Sequence, residues 1–296
     1  MIVPFNIPYL TGKELDYIKD ASSAGHLSGN GKYTERCHIF FQNRYNFKKC
    51  LLTTSCTDAL EMAAILIDIK QGDEVIIPSF TFVSTALAFE RQGAIIRFVD
   101  SRSDHPGLNE NLIEILINER TKAIVPVHYG GIACDMDKIM AIAAKYNLYV
   151  IEDAAHSIES SYKGKPLGSI GHLGCFSFHE TKNIHCGEGG MLAVNDNRFI
   201  ERAEIIWEKG TNRAQFFRGE TYKYEWKDTG SSFLPSELNA ALLSAQLEDI
   251  KIIQHKRLTH WNRYYIGFKE LQDKGYIKLP VIPEYSTPNG NTFFIT

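Results

Sequence analysis

No stretch of this sequence reaches the roughly 18 uninterrupted apolar residues that a membrane helix requires, and the opening MIVPFNIPYL carries neither a basic leader nor a long apolar core. A cytoplasmic protein with no membrane partner is therefore expected. Runs of Lys and Arg are missing too. A formal charge of −3 and a pI near 6.4 leave no broad positive field to track a nucleic-acid backbone, so no nucleic-acid partner is expected. The six cysteines (Cys37, Cys50, Cys56, Cys134, Cys175 and Cys186) form no CxxC pair and keep no regular spacing, which favours free thiols over disulfides or a metal site. What is present is apolar mass. With 44% hydrophobic residues, a chain of 296 can bury one large core, or one core and a small appendage.

From about residue 49 short β-branched runs alternate with helical patterns, as a βαβ sheet requires. KCLLTT, DEVIIP, AIIRFVD, KAIVPVH and LYVIED read as strands, with helices expected over 57–68, 82–91, 109–117 and 136–145. The strands are nearly continuous apolar runs rather than alternating ones. Burial on both faces follows, and hence an α/β fold with a mostly parallel central sheet flanked by helices. GCFSFH and GGMLAVND add two strands around a Gly-rich loop, and 198–208 reads as a helix. A long helical pattern then runs from Ser236 to about Leu271, free of Pro and Gly until Gly267. It divides the chain into a large domain over 1–250 and, over 251–296, a bridging helix with the start of a small C-terminal domain. The final NTFFIT reads as a strand without a closing turn, so that domain is expected to be truncated, leaving apolar surface on the bridging helix and an unpaired edge.

The chemistry concentrates at strand ends. LYVIEDAAH delivers Glu152 and Asp153 at the carboxyl end of a strand, where open α/β sheets form their ligand crevices. Alone, Asp153 reads sooner as a loop-ordering or capping acid. In SFHETKNIHCGEGG a strand ends in a turn carrying Lys182, followed by Gly187, Gly189 and Gly190. Alone, Lys182 is an exposed loop lysine. Together the two can point into one crevice, and pyridoxal 5'-phosphate (PLP) chemistry requires such a pair: an amine to hold the cofactor and a carboxylate on its pyridine nitrogen. The opposite charge on that nitrogen is what lets the acid stay ionised when buried. For the phosphate, TSCTDALEM turns from strand to helix near Thr57, presenting free backbone N–H groups and the Thr57 hydroxyl, and Ser177 offers a further hydroxyl. An ordinary helix cap is the competing reading. Phe82, just after a strand end, suits stacking on a pyridine ring, although by itself a core phenylalanine is the safer reading.

Taken in order, TSCTDAL, GDEVIIPSFTFVST, PVHYGG, EDAAH and SFHETKN…GEGG resemble the DegT-type sugar aminotransferases of the fold-type I PLP enzymes, over nearly the whole chain. SFTFVSTALAF, CFSFHETKN, AEIIWEKGTNRAQFFRG and DTGSSF are most similar to members that aminate C4 of a dTDP-linked sugar. The resemblance implies a homodimer with shared active sites, glutamate as amino donor and a dTDP-4-keto-6-deoxyhexose as acceptor, in cell-surface polysaccharide synthesis such as that of lipopolysaccharide or enterobacterial common antigen. It implies Lys182 as the cofactor-bound lysine and Asp153 as the partner of the pyridine nitrogen. Cys56, Thr57 and Ser177 fall in the phosphate cradle, Phe82 matches the stacking aromatic, and His156 lies near the other ring face. Many members carry Asn-x-Arg where this chain has Ser232-Phe233-Leu234, and their Asn reaches the partner's phosphate; Ser232 is the counterpart here. Related sugar dehydratases have His in place of the lysine, so Lys182 argues against that branch. Amination at C3, a UDP- or GDP-linked sugar, and a fold retained without turnover remain open alternatives.

Overall fold

The computed structural model describes Pro4 and residues 6–296; Met1, Ile2, Val3 and Phe5, within the opening segment read above for the absence of a leader, lie outside the described residues. In chain order the strands are β1 (Lys49–Thr53), β2 (Glu74–Pro78), β3 (Ile95–Val99), β4 (Thr121–Ile124), β5 (Tyr149–Asp153), β6 (Ser161–Tyr162), β7 (Lys165–Pro166), β8 (Leu173–Ser177), β9 (Gly190–Val194) and β10 (Ser286–Thr287). The helices are α1 (Glu14–Ser23), α2 (Lys32–Tyr45), α3 (Cys56–Leu66), α4 (Ser84–Glu90), α5 (Met136–Tyr146), α6 (Ile200–Trp207), α7 (Arg213–Phe217), α8 (Glu237–Glu248), α9 (Ile250–Gly267) and α10 (Lys269–Asp273). Among the described residues no helix is long and apolar enough to cross a membrane.

Seven strands form the main sheet in the order β1-β9-β8-β5-β4-β2-β3. From β8 to β3 every neighbour is parallel, and β9 runs antiparallel to both β8 and β1. Successive side chains leave opposite faces of a strand, so the apolar runs feed two cores at once. Leu51, Ile77 and Ile151 pack with α3, α4 and α6, whereas their neighbours Leu52, Ile76 and Val150 pack on the other face, under α2, α5 and α8. This is why the strands read as continuous rather than alternating.

Three expected elements take a different form. The helix expected over 109–117 is two short 3-10 turns, Glu110–Leu112 and Glu114–Leu116. Its isoleucines fall at 113, 115 and 117, a spacing that lines no single helical face; Ile113 is buried while Ile115 is exposed. The long helix from Ser236 is interrupted twice: Asp249 (φ −101°, ψ 16°), with no Pro or Gly beside it, separates α8 from α9, and Phe268 (φ −95°, ψ 0°), directly after Gly267, separates α9 from α10. Asp249 is held instead by Lys13, 3.0 Å away. The terminal NTFFIT forms no regular strand. Phe293 packs against Trp261, Tyr264 and Phe268 of the bridging segment, and Thr296 exchanges two backbone hydrogen bonds with Lys278.

The start of α2 is capped from a distance. Its N-cap, Gly31, has no side chain to offer, and the buried Glu237 of α8 accepts the N–H groups of Gly31 (3.0 Å), Tyr33 (2.7 Å) and Thr34 (3.1 Å). Glu237→Ala leaves three donors without a partner and is expected to cost about 3 kcal/mol or more. Denaturant unfolding measures it, and a loss within experimental error would show that water replaces the cap.

Candidate active site

The parallel pairing of β5 with β8 aligns Asp153 with Cys175, and a bridge from Val127 to Asp153 brings up the end of the β4 segment. Three carboxyl ends thus open side by side, as the ligand crevice of an α/β sheet requires. Opposite them stands the start of α3. Ser55 caps it by accepting the Asp58 N–H (3.1 Å), and the N–H groups of Cys56 and Thr57 have no acceptor among the described residues. The helix start lies directly on β9: a Cβ on Gly190 would come within 2.3 Å of the Ser55 carbonyl and 2.5 Å of the Cys56 nitrogen. Only glycine permits that approach.

Between these elements lies a cavity of about 580 Å³. Cys56, Thr57, Phe82, Asp153, His156, Ser177 and Lys182 all line it. Ser232 does not; it is exposed, on a strand-like bridge to Glu208. Phe82 stands at the rim with 72% of its surface exposed. The Thr57 hydroxyl donates to Ser84 Oγ (2.8 Å), and Ser177 Oγ accepts the His179 N–H (3.3 Å).

Asp153 is 5% exposed. Thr85 donates its hydroxyl to Oδ2 (2.7 Å) and the Ala155 N–H reaches Oδ1 (3.1 Å). Burial raises the pKa of this carboxyl above its usual range, and the two hydrogen bonds and the charge of Lys182 oppose the rise. Burial lowers the pKa of the Lys182 amine, against the pull of Cys56 and Asp153. Its turn is tied down on both sides: the Lys182 N–H donates to the His179 carbonyl (2.9 Å), and the Lys182 carbonyl accepts from Arg257 (3.0 Å). His156 accepts the Gly130 N–H on Nδ1 (3.0 Å), and burial with the nearby Lys182 pushes its pKa down to about 3. It is a neutral imidazole, protonated on Nε2.

Glu152 points the other way from its neighbour and has a different task. Fully buried, it accepts the N–H groups of Gly168 (2.7 Å), Ile170 (2.7 Å) and Gly171 (2.6 Å), and His128 Nε2 lies at 2.9 Å. It clamps the turn that enters β8 onto β5. The Cys134 N–H points at His128 Nδ1 (3.2 Å), so the His128 proton sits on Nε2, toward Glu152.

Several contributors escaped the sequence reading. Thr85 carries the shortest bond to Asp153, and its only signal is the Thr81-x-x-x-Thr85 spacing that stacks the two hydroxyls 2.7 Å apart. Asn183, beside the lysine, bonds Asn289 (3.1 Å) and Asn291 (3.0 Å), more than a hundred residues away, for which the sequence offers no signal.

An unpaired amine of lowered basicity, a buried carboxylate and an open helix start suit a cofactor that carries an aldehyde, a basic ring nitrogen and a phosphate. Residues 8–292 match the model of the DegT/DnrJ/EryC1/StrS aminotransferase family. The chain belongs to that family. This aminotransferase is 34% identical over 272 residues to the spore coat polysaccharide biosynthesis protein SpsC of Bacillus subtilis (strain 168), covering 91% of the chain and 70% of the relative. It is 34% identical to the GDP-perosamine synthase of Escherichia coli O157:H7 over 83% of the chain and 66% of that protein. It thus spans about two thirds of the length of these relatives. Its fold superposes with a TM-score of 0.88 on a sugar aminotransferase from Streptococcus pneumoniae solved in a PLP form, at 25% identity over 99% of the chain and 77% of that one. Its cofactor is PLP and its class of reaction is amino transfer.

A Lys buried below its usual basicity costs stability wherever it is protonated. The cost is fully present below the folded pKa and fades as pH rises toward the unfolded value of 10.5. Lys182→Met is therefore expected to make the cofactor-free protein more stable at pH 7, by a margin that shrinks at higher pH. Thermal unfolding across that range checks it, and a destabilised variant at pH 7 would contradict it.

Proposed function

We propose that the chain moves the amino group of glutamate onto a nucleotide-linked keto sugar, with a dTDP-4-keto-6-deoxyhexose as acceptor and dTDP-4-amino-4,6-dideoxygalactose as product, for cell-surface polysaccharide. The observation that carries the reading is Lys182 and Asp153 lining one cavity from neighbouring strand ends. The C4 and dTDP assignments draw support from SFTFVSTALAF and CFSFHETKN. The relatives named GDP-perosamine synthase keep a GDP-linked acceptor as the second reading.

Bound PLP supplies an electron sink for the carbon that bears the transferred nitrogen. The chain's own residues do the rest. Lys182 would hold the cofactor, and its free amine, of lowered basicity, would serve as the base for the proton on the glutamate Cα. Asp153, oriented by Thr85 and the Ala155 N–H, holds the proton on the ring nitrogen, and that positive charge draws its raised pKa back down. The N–H groups of Cys56 and Thr57, with the hydroxyls of Thr57 and Ser177, hold the phosphate. Phe82 and His156, which line the same cavity, would contact the ring. In a homodimer we assign Ser232, outside its own cavity, to the partner's phosphate.

With PLP added, the full chain is expected to show a visible absorbance band that Lys182→Ala abolishes, and to lose activity by about 10³-fold or more in that variant. Mass spectrometry of the product from dTDP-4-keto-6-deoxyglucose and glutamate is expected to find the keto oxygen replaced by an amino group. No transfer to a dTDP-, UDP- or GDP-linked keto sugar would overturn the reading.

A further inference from the structure

Beside the Lys182 turn four carboxamides close on one another. Asn183 comes from the turn itself, Gln254 from α9, and Asn289 and Asn291 from the segment that follows β10. Asn183 Nδ2 donates to the Asn289 carbonyl (3.1 Å) and to Gln254 Oε1 (3.3 Å), and Gln254 Nε2 donates to the same carbonyl (2.6 Å). Asn291 Nδ2 donates to Asn183 Oδ1 (3.0 Å), while its backbone N–H donates to Asn289 Oδ1 (2.9 Å).

Asn289 is the hub. Fully buried, it gives both hydrogens of its amide to backbone carbonyls, those of His156 (2.7 Å) and Ile158 (2.6 Å). One residue thus ties the lysine turn to the loop that follows Asp153 and carries His156. The approach is close: a Cβ on Gly131 would come within 2.2 Å of Asn289 Oδ1. The segment is also held on either side of the hub, where Ser286 Oγ accepts the Ala133 N–H (2.9 Å) and the Thr292 carbonyl accepts Trp261 Nε1 (3.1 Å). Apolar side chains of the same shape would secure it about as firmly, since a hydrogen bond contributes only about 1 kcal/mol net; what buried amides add is a defined position. Only about 10 Å³ is empty in the space that Lys182, His156 and the three asparagines help to line, room for a single water.

We propose that residues 286–292 are a positioning strap: Gln254, Asn289 and Asn291 act through Asn183 to set where the Lys182 amine stands relative to Asp153 and His156, and to keep further water from it. The proposal rests on the assignment of Lys182 as the amine that holds the cofactor. None of the three lines the larger cavity, so they position the amine without touching what it acts on. The amine must leave and return to one place in each turnover, and a displacement of about 1 Å can cost on the order of a hundred-fold in rate.

The test follows PLP uptake by the full chain, freed of cofactor, as a function of pH, because only the unprotonated amine attacks the cofactor's aldehyde. Loosening the strap admits water to Lys182, and hydration returns the basicity that burial removes. The half-buried Asn291 and Gln254 are the positions to alter, since loss of Asn289 would strip two buried carbonyls of their donor and unsettle the fold. Asn291→Ala and Gln254→Ala are each expected to move the midpoint of uptake upward, toward the ordinary lysine value of 10.5. Each is also expected to slow the loss of the visible band on adding glutamate by about ten-fold or more, with half-saturation by glutamate unchanged. An unmoved midpoint in both variants overturns the proposal, and so does a moved midpoint with the rate intact. If Lys182→Ala takes up PLP with the same visible band as the unaltered chain, it is the assignment of Lys182 that fails.

Discussion

Everything around the cavity depends on keeping a carboxylate and an amine buried near one another without letting them satisfy each other. Asp153 spends its oxygens on Thr85 and the Ala155 N–H, and among the described residues Lys182 has no ion-pair partner. Burial pushes each toward its neutral form, so their partial attraction only moderates the cost. A closed salt bridge would be more comfortable and useless, because neither group would be free to meet a ligand. The fold prevents that closure by anchoring the backbones. Glu152 fixes the turn entering β8 against β5, and Arg257, Asn183 and the His179 carbonyl fix the lysine turn. The strain of the site is thus carried by hydrogen bonds that lie outside the cavity.

The sheet was legible because burial on both faces leaves a direct mark on sequence: short, nearly continuous apolar runs ended by polar residues. Asp153 was legible for the same reason, since it closes such a run at a sheet end, and Lys182 because its polar turn follows one such strand and precedes a Gly-rich loop. Where local preference and tertiary contact compete, the sequence was less informative. The Ser236–Leu271 segment has no helix breaker before Gly267, and its interruption at Asp249 depends on Lys13, over two hundred residues earlier. The residues 109–117 contain good helix formers at the wrong angular spacing, and the buried Ile113 set against the exposed Ile115 shows a chain following its neighbours rather than a helix period. Arg257 was missed because it belongs to no motif, and Thr85 because nothing within SFTFVSTALAF singles it out; each acts through a hydrogen bond to a residue distant in sequence.

The charges left unpaired form a pattern. The open N–H groups of α3, the Lys182 amine and the Arg257 guanidinium are all electropositive and short of acceptors, while Asp153 is the single acid aimed into the larger cavity's floor, with Glu188 at its edge. His156, which could have added a further cation, is kept neutral by burial and by its Gly130 contact. One acid among several cationic or donor positions is what a ligand with several anionic groups and one protonatable nitrogen requires. Evolution of a stable empty protein would have removed such imbalances, since each buried one costs folding free energy with nothing returned until an anion arrives.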